Sequence, residues 1–381
     1  MKMKYPQLYK AGFLVAVAVI SACNRNSNST MGSVDSATVK VDTMAGPERT
    51  AVEIKPTDPA PEWGKSIKPE MQVVIDRLAA FKDIPVEKSS AQAARKLHTP
   101  TDAVKQVIKE FSVAVPAAQV DTAGRDIPVS GGNIHLRVYT PKAGKAPFPV
   151  IVYYHGGGFV IANLDVYDAS AQGLAEQVGA VVVSVAYRLA PEHKFPTAHE
   201  DAFAAYSWVV QHAADLKGDP KKIAVVGESA GGNLATAVSI MARDKKIMIP
   251  VHEVLVYPIA QSNMNTESYV KFANAKPLNK AMMVWFTKNY LVSMAQAKDP
   301  RISLVNANLK GLPPTTIINA ELDPLADDGK LLEEKLKAAD VKVERKVYDG
   351  VTHEFFGMAA VVPQAKEAQA YAADQLKSAF K

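Results

Sequence analysis

The chain has 381 residues and a mass of 41.0 kDa, more than the roughly 250–300 residues that one hydrophobic core serves, so a large domain with an accessory subdomain is expected. A composition that is 48% hydrophobic and 22% charged, with mean hydropathy −0.04, excludes a disordered chain, a polytopic membrane protein and a collagen-like fibre. Lys2, Lys4 and Lys10 supply three units of the net charge of +5, and the surplus left is too small for a dedicated nucleic-acid binder.

The chain opens with those three lysines and a short apolar run, Ala11 to Ile20. A membrane-spanning helix needs about 18–20 apolar residues, so this run reads as a targeting segment. Ile20-Ser21-Ala22-Cys23 resembles the lipobox of bacterial lipoproteins. The resemblance implies a signal peptide over 1–22, a lipid on Cys23, and an exported protein of the bacterial cell envelope held to a membrane by its anchor. Cys23 is the only cysteine, which excludes an internal disulfide, a multi-cysteine zinc site and an iron–sulfur cluster. Residues 23–62 hold no aromatic residue and are rich in Asn, Ser, Thr and Pro. That composition buries too little apolar area to order itself and predicts a tether. At about 5–6 Å × √n it would reach roughly 35 Å.

Trp63 is expected to open the folded part. Met71, Val74, Ile75 and Leu78 follow helical spacing, as do Val104, Val107, Ile108 and Phe111. From about Arg125 the pattern turns to strands, first a pair over Asp126–Ser130 and Ile134–Tyr139 joined at Gly131-Gly132. Buried-type runs follow at Pro149–Tyr154, Ala180–Ala186, Ile223–Val226, Val251–Tyr257, Thr315–Asn319 and Val343–Tyr348. Helical segments lie near Val166–Gln177, Ala198–Ala213, Ala230–Arg243, Ala326–Ala339 and Pro363–Phe380. Continuous Val/Ile runs alternating with helices predict an α/β fold with a mostly parallel, eight-stranded sheet covered on both faces. A long insertion between Tyr257 and Thr315, with a helix near Lys280–Tyr290, breaks the rhythm.

The chemistry gathers at the carboxyl ends of these strands, where open α/β sheets build their sites. After the Ile223–Val226 strand stands Gly227-Glu228-Ser229-Ala230-Gly231. Glycines at both ends permit a sharp strand-to-helix turn that lifts the serine hydroxyl out of the sheet. The helix start directs backbone N–H groups and a positive dipole end to the same spot. Alone this pentapeptide is weak. Support comes from His155-Gly156-Gly157-Gly158-Phe159 after the Pro149–Tyr154 strand, whose bare N–H groups can approach a substrate oxygen. Phosphate-binding glycine patterns fail, because Ile161 falls where G-x-G-x-x-G needs its last glycine.

HGGGF at 155–159, Tyr187-Arg188-Leu189-Ala190-Pro191-Glu192 and GESAGG at 227–232 together resemble the hormone-sensitive-lipase-like α/β-hydrolases, the bacterial esterases of family IV. The likeness runs from about Trp63 to the C-terminus. It implies an α/β-hydrolase domain over 63–381, a Ser–Asp–His triad, an HGGG oxyanion loop, and a helical cap from 63–124 and 262–300. Glu228 stands where many members have Asp, and Ala186 where many have Asp before the Tyr-Arg pair, departures that bear on substrate preference.

Ser229 requires a base and an orienting acid on later strand ends, in the order Ser, Asp or Glu, His. Of the eight histidines only His353 lies beyond the Thr315–Asn319 strand, in a loop after Val343–Tyr348. His155 is expected to hold the oxyanion loop in shape. No His-Glu pair extends to H-E-x-x-H, so a zinc protease is not indicated. Asp323, Asp327 and Asp328 compete for the acid. Pro324 biases Asp323 away from helical geometry and keeps it on the loop, while Asp327 and Asp328 fall in a first helical turn where the dipole favours carboxylates. The oxyanion N–H groups are then those of Gly157, Gly158 and Ala230, with Gly156 shaping the turn. Arg188 and Glu192 are expected to pair beneath the site, and Glu200 or Asp201 to secure the next helix. The Met282–Phe286 cluster is left open between cap core and acyl-pocket lining.

The expected function is a serine carboxylic-ester hydrolase acting on small-molecule esters of short to medium acyl length, through an acyl-enzyme and without cofactor or metal. An amidase or formamidase on the same residues, and a ligand-binding receptor on a hydrolase scaffold, are the alternatives.

Overall fold

A computed structural model describes residues 53–381 of the protein. The targeting segment, Cys23 and tether residues 24–52 lie outside the described residues. The last part of the expected tether, 53–62, packs on the body. Ile54 and Ala60 lie against the core, and Gln72 Nε2 donates to the carbonyls of Asp58 at 2.8 Å and Pro59 at 3.1 Å. Pro56, Pro59 and Pro61 stiffen this stretch and lower the entropy lost on ordering it, so order begins before Trp63.

Three helices come first: α1 over Pro69–Ala80, α2 over Ala91–Ala94 and α3 over Pro100–Glu110. Proline opens α1 and α3, where a missing N–H costs nothing, and Thr99 and Asp102 cap α3 reciprocally. Strands β1 (Val120–Val129) and β2 (Gly132–Pro141) form a hairpin. Then follow β3 (Phe148–Tyr154), α4 (Asp168–Val178), β4 (Val181–Ala186), α5 (Thr197–His212), β5 (Gly218–Glu228), α6 (Ala230–Asp244) and β6 (Glu253–Val256). The insertion carries α7 (Glu267–Lys271) and α8 (Lys280–Tyr290). The chain closes with β7 (Thr315–Leu322), α9 (Ala326–Ala338), β8 (Val343–Thr352) and α10 (Pro363–Ala379). Among the described residues no helix is long and apolar enough to cross a membrane.

The strands form one eight-stranded sheet in the order β1-β2-β4-β3-β5-β6-β7-β8. β1 and β2 pair antiparallel, β2 meets β4 antiparallel, and the remaining pairs are parallel. Val152 of β3 sits opposite Val183 of β4 and Val225 of β5, in the middle of the sheet. The period of two divides the core. Val150, Val152, Ile223, Val225 and Ile317 pack beneath α5, α6 and α9, while Ile151, Tyr153, Ala224, Val226 and Ile318 pack beneath α1, α4 and α10. Ala365, Ala368 and Ala372 present a small-residue stripe that lets α10 approach closely, and Leu376 packs below them. With both faces covered, the carboxyl ends of β3, β5, β7 and β8 are left to build a site.

Candidate active site

The turn from β5 into α6 holds Ser229 at φ 56° and ψ −117°, in the region disfavoured for a residue with a side chain. Its surroundings over-determine that conformation. Ser229 N donates to Val256 O at 2.9 Å, and its carbonyl accepts from Asn233 and Ile259 N, each at 3.2 Å. Gly231 permits the close approach of helix to strand, for a Cβ there would stand 1.9 Å from Tyr154 O. The serine is 5% exposed, with its hydroxyl at the foot of a cavity.

His353 follows β8 and lies with Nε2 2.9 Å from Ser229 Oγ. Its Nδ1 is 2.7 Å from Oδ2 of Asp323, which follows β7 and is fully buried. A carboxylate only accepts, so Nδ1 carries the proton and Nε2 is free to accept the serine O–H. The other oxygen of Asp323 accepts Leu325 N at 2.9 Å, which fixes the carboxylate on its loop. Burial alone would lower the proton affinity of His353. The charge and hydrogen bond of Asp323, joined by Glu354 and Glu228, outweigh it and leave His353 above the ordinary imidazole value.

The loop after β3 supplies the second wall. Gly157 adopts φ 99°, where a Cβ would strike Ile161 O at 2.2 Å. The N–H groups of Gly157, Gly158 and Ala230 have no acceptor among the described residues; Gly157 and Gly158 line the cavity beside Ser229, and Ala230 follows the serine directly at the start of α6. Gly156 lies directly against Ser229 and Tyr167. His155 is buried and stacks on Tyr187 at 4.3 Å, and its Nδ1 donates to Gly156 O at 2.7 Å. Burial lowers it to about 4, so it stays neutral and holds the loop, helped by the Tyr187 hydroxyl donating to the carbonyls of His155 and Gly156.

The expected Arg188–Glu192 pair does not form. Arg188 binds the buried carboxylate of Asp201 at 2.6 Å, and Glu192 turns to Arg95, also at 2.6 Å. Arg95 further donates to Val160 O and Ala190 O, tying the N-terminal segment to the glycine loop. Asp327 and Asp328 also do more than favour a helix dipole. Asp327 accepts Ser268 N at 2.8 Å. Asp328 is fully buried and accepts the backbone N–H groups of Ala260 and Gln261 at 3.0 and 3.2 Å, anchoring the segment that leads into the insertion. Burial pushes it up to about 7.

The cavity above Ser229 and His353 has a volume of about 380 Å³. Both the N-terminal segment, through Val86 and Leu97, and the insertion, through Leu278, Met282, Met283 and Phe286, line it. Trp285 Nε1 donates to Ser89 O at 3.0 Å and joins the two roof segments. The Met282–Phe286 cluster thus serves both uses left open by the sequence. Sequence reading missed the roles of Glu354 and of the tyrosines at 153, 167 and 257: Tyr257 packs on His353, Tyr153 and Tyr257 hold Glu228, and Tyr167 holds Glu354. Distance along the chain conceals the tyrosines, and nothing in the local sequence marks Glu354 as facing the site. Among the described residues no three His, Cys, Asp or Glu side chains converge as metal ligands.

A serine hydroxyl hydrogen-bonded to a buried imidazole, beside N–H donors with no acceptor and under an apolar roof, is an arrangement that suits acyl transfer. Comparison with known proteins points to ester hydrolases. The family described as the α/β hydrolase fold matches residues 151–357. Carboxylesterase NlhH of Mycobacterium tuberculosis is 40% identical over 252 residues, spanning 65% of this chain and 79% of that protein. An ethyl acetate hydrolase of Pseudomonas putida is 32% identical over 308 residues, 78% of this chain and 93% of the other. A solved hyperthermophilic esterase from the archaeon Pyrobaculum calidifontis superposes with a TM-score of 0.75 at 36% identity, covering 82% of this chain and 98% of that one.

Proposed function

The chain belongs to the α/β-hydrolase fold family and is a carboxylesterase-type hydrolase, and on that premise we propose that Ser229, His353 and Asp323 carry ester cleavage through an acyl-enzyme. The observation that carries this reading is the continuous contact from Asp323 through His353 to Ser229, at 2.7 and 2.9 Å. His353 Nε2 takes the Ser229 proton as Oγ attacks the ester carbonyl. The tetrahedral oxyanion is received by the N–H groups of Gly157, Gly158 and Ala230, with Gly156 setting the turn. His353 then gives its proton to the leaving alkoxide, releasing the alcohol. Water, deprotonated by His353, attacks the acyl-enzyme, and collapse of the second intermediate frees the acid and restores the serine.

The roofed cavity supports esters of short to medium acyl length, and the relative named for ethyl acetate points the same way. A panel of nitrophenyl esters of increasing acyl length, with one nitroanilide, tests this. Turnover is expected to be highest at butyrate-sized to hexanoate-sized acyl groups and far slower on the amide. Faster cleavage of insoluble long-chain triglyceride would contradict the short-chain reading, and a faster amide would make the protein an amidase.

Turnover requires neutral His353, so its rate falls on acidification through the value at which that imidazole takes up a proton. Asp323, Glu354 and Glu228 hold this value above the ordinary 6.5. The acid limb of kcat/KM is therefore expected above pH 6.5. A limb near pH 5 would remove His353 as the base.

For the N-terminal part we infer a lipid on Cys23 and a place on a bacterial membrane, from the basic start, the short apolar run and the Ile20–Cys23 sequence. Radiolabelled palmitate fed to an expressing bacterium should enter the full chain and not a Cys23→Ser variant. Equal labelling of both would end this proposal.

A further inference from the structure

Two carboxylates flank the Ser229–His353 pair without belonging to it, Glu228 buried and Glu354 half-buried, and tyrosines grip both. Glu228, directly before Ser229, is 1% exposed. Its Oε1 accepts the Tyr153 hydroxyl at 2.5 Å, and its Oε2 accepts the Tyr257 hydroxyl. Glu354, directly after His353, accepts the Tyr167 hydroxyl at 2.6 Å. No Lys or Arg forms an ion pair with either among the described residues. A buried carboxyl with no cation beside it is costly to keep, so its position next to the nucleophile calls for a role.

Tyr257 links Glu228 to His353. Its ring centroid stands 4.4 Å from that of the imidazole, with the planes inclined by 47°. The tyrosine is fastened at both ends: its N–H donates to Ile318 O at 2.6 Å, and its hydroxyl is held by Glu228. Its φ of 37° is an outlier for a bulky residue, and such backbone persists only where surrounding contacts impose it. The bonds of His353 to Asp323 and Ser229 leave the imidazole free to tilt about the line joining them. A ring packed against the imidazole removes that freedom.

We propose that Glu228 is a positioning residue for ester hydrolysis: by holding the Tyr257 hydroxyl it clamps the tilted Tyr257 ring against His353 and keeps the imidazole aligned between Asp323 and Ser229. The proposal rests on the serine-hydrolase reading above. Asp323, Glu354 and Glu228 are the acidic groups facing His353, and Tyr153, Tyr167 and Tyr257 are phenols that burial keeps neutral. Glu228 is itself raised to about 7, by burial first and then by the charge of Glu354.

Glu228→Gln keeps the shape but accepts only one tyrosine hydroxyl, and Tyr257→Phe keeps the ring but drops the tie. Both variants and the double variant are made in the full chain. For each, kcat is counted per serine titrated with a phosphonate ester, alongside KM, the pH profile and Tm. Each single change is expected to lower kcat per titrated site by about tenfold, below the hundredfold that a 1 Å misplacement can cost, with KM unchanged. The double variant should be no slower than the slower single, because both act through one contact. The acid limb of Glu228→Gln should move to lower pH, since a negative charge facing His353 is gone. Multiplying single effects would overturn the proposal. So would a kcat per titrated site and an acid limb both unchanged, even with Tm lowered, for that is a purely structural residue. A wild-type chain that hydrolyses esters yet takes up no phosphonate would overturn the serine reading itself, a separate and recognisable result.

Discussion

Ser229→Ala is expected to lose ester turnover almost entirely, by a factor on the order of a million in kcat, leaving the residual acceleration that binding and oxyanion donors provide. Ser229 Oγ is the group that His353 Nε2 faces at 2.9 Å, so the substitution removes the nucleophile and leaves the base with nothing to deprotonate. The fold should survive. Alanine has the same backbone preferences at φ 56°, and the bonds of Ser229 to Val256, Asn233 and Ile259 are made by its main chain. The check is a rate measurement beside a thermal melt. A variant that retains even a tenth of wild-type turnover while melting normally would exclude Ser229 as nucleophile.

Asp323→Asn is expected to lower kcat by a factor on the order of a thousand or more. An amide that turns its nitrogen toward His353 favours the wrong tautomer, and one that turns its oxygen there supplies no charge to stabilise the imidazolium. Asp327→Asn and Asp328→Asn should each cost less than about tenfold in kcat. Their carboxylates hold Ser268, Ala260 and Gln261 and do not touch His353. Loss at Asp328, being fully buried, should show in the melting temperature instead. Greater kinetic damage at either of these positions than at Asp323 would reject the assignment.

Most strands were legible because the parallel sheet is buried on both faces and so reads as continuous Val/Ile runs. β4 and β3 differ from their expected bounds by a single residue at one end. β1 was the poorest. It begins at Val120, well before Asp126, and only Val120 and Ile127 are buried along it. An edge strand that pairs on one side and faces solvent carries charge where alternation would be sought. β6 is shorter than its apolar run, because Tyr257 turns to positive φ ahead of Pro258.

Ser229, Asp323, His353 and the glycine loop, singled out by local turn chemistry and order along the chain, are brought to one place by the fold. Side-chain partners were a different matter. Glu192 looked paired to Arg188 by proximity in sequence, yet its cation is Arg95, 97 positions earlier. The tyrosines around Glu228 come from the ends of β3 and β6, and no spacing rule joins them. Burial of a carboxylate, as at Asp328, is likewise a property of the packed body that a first-turn position conceals.

Ser229 precedes His353 by 124 positions, with β6, β7 and β8 laid down between them. During synthesis from the amino end, the Ser229 turn and the glycine loop therefore emerge long before His353, the base in the proposed mechanism. On that mechanism, a polypeptide cut short between Ile259 and His353 would hold Ser229 in its turn with no base to activate it. Hydrolytic power would then arrive late in synthesis, and copies ending before His353 would carry none to neighbouring esters.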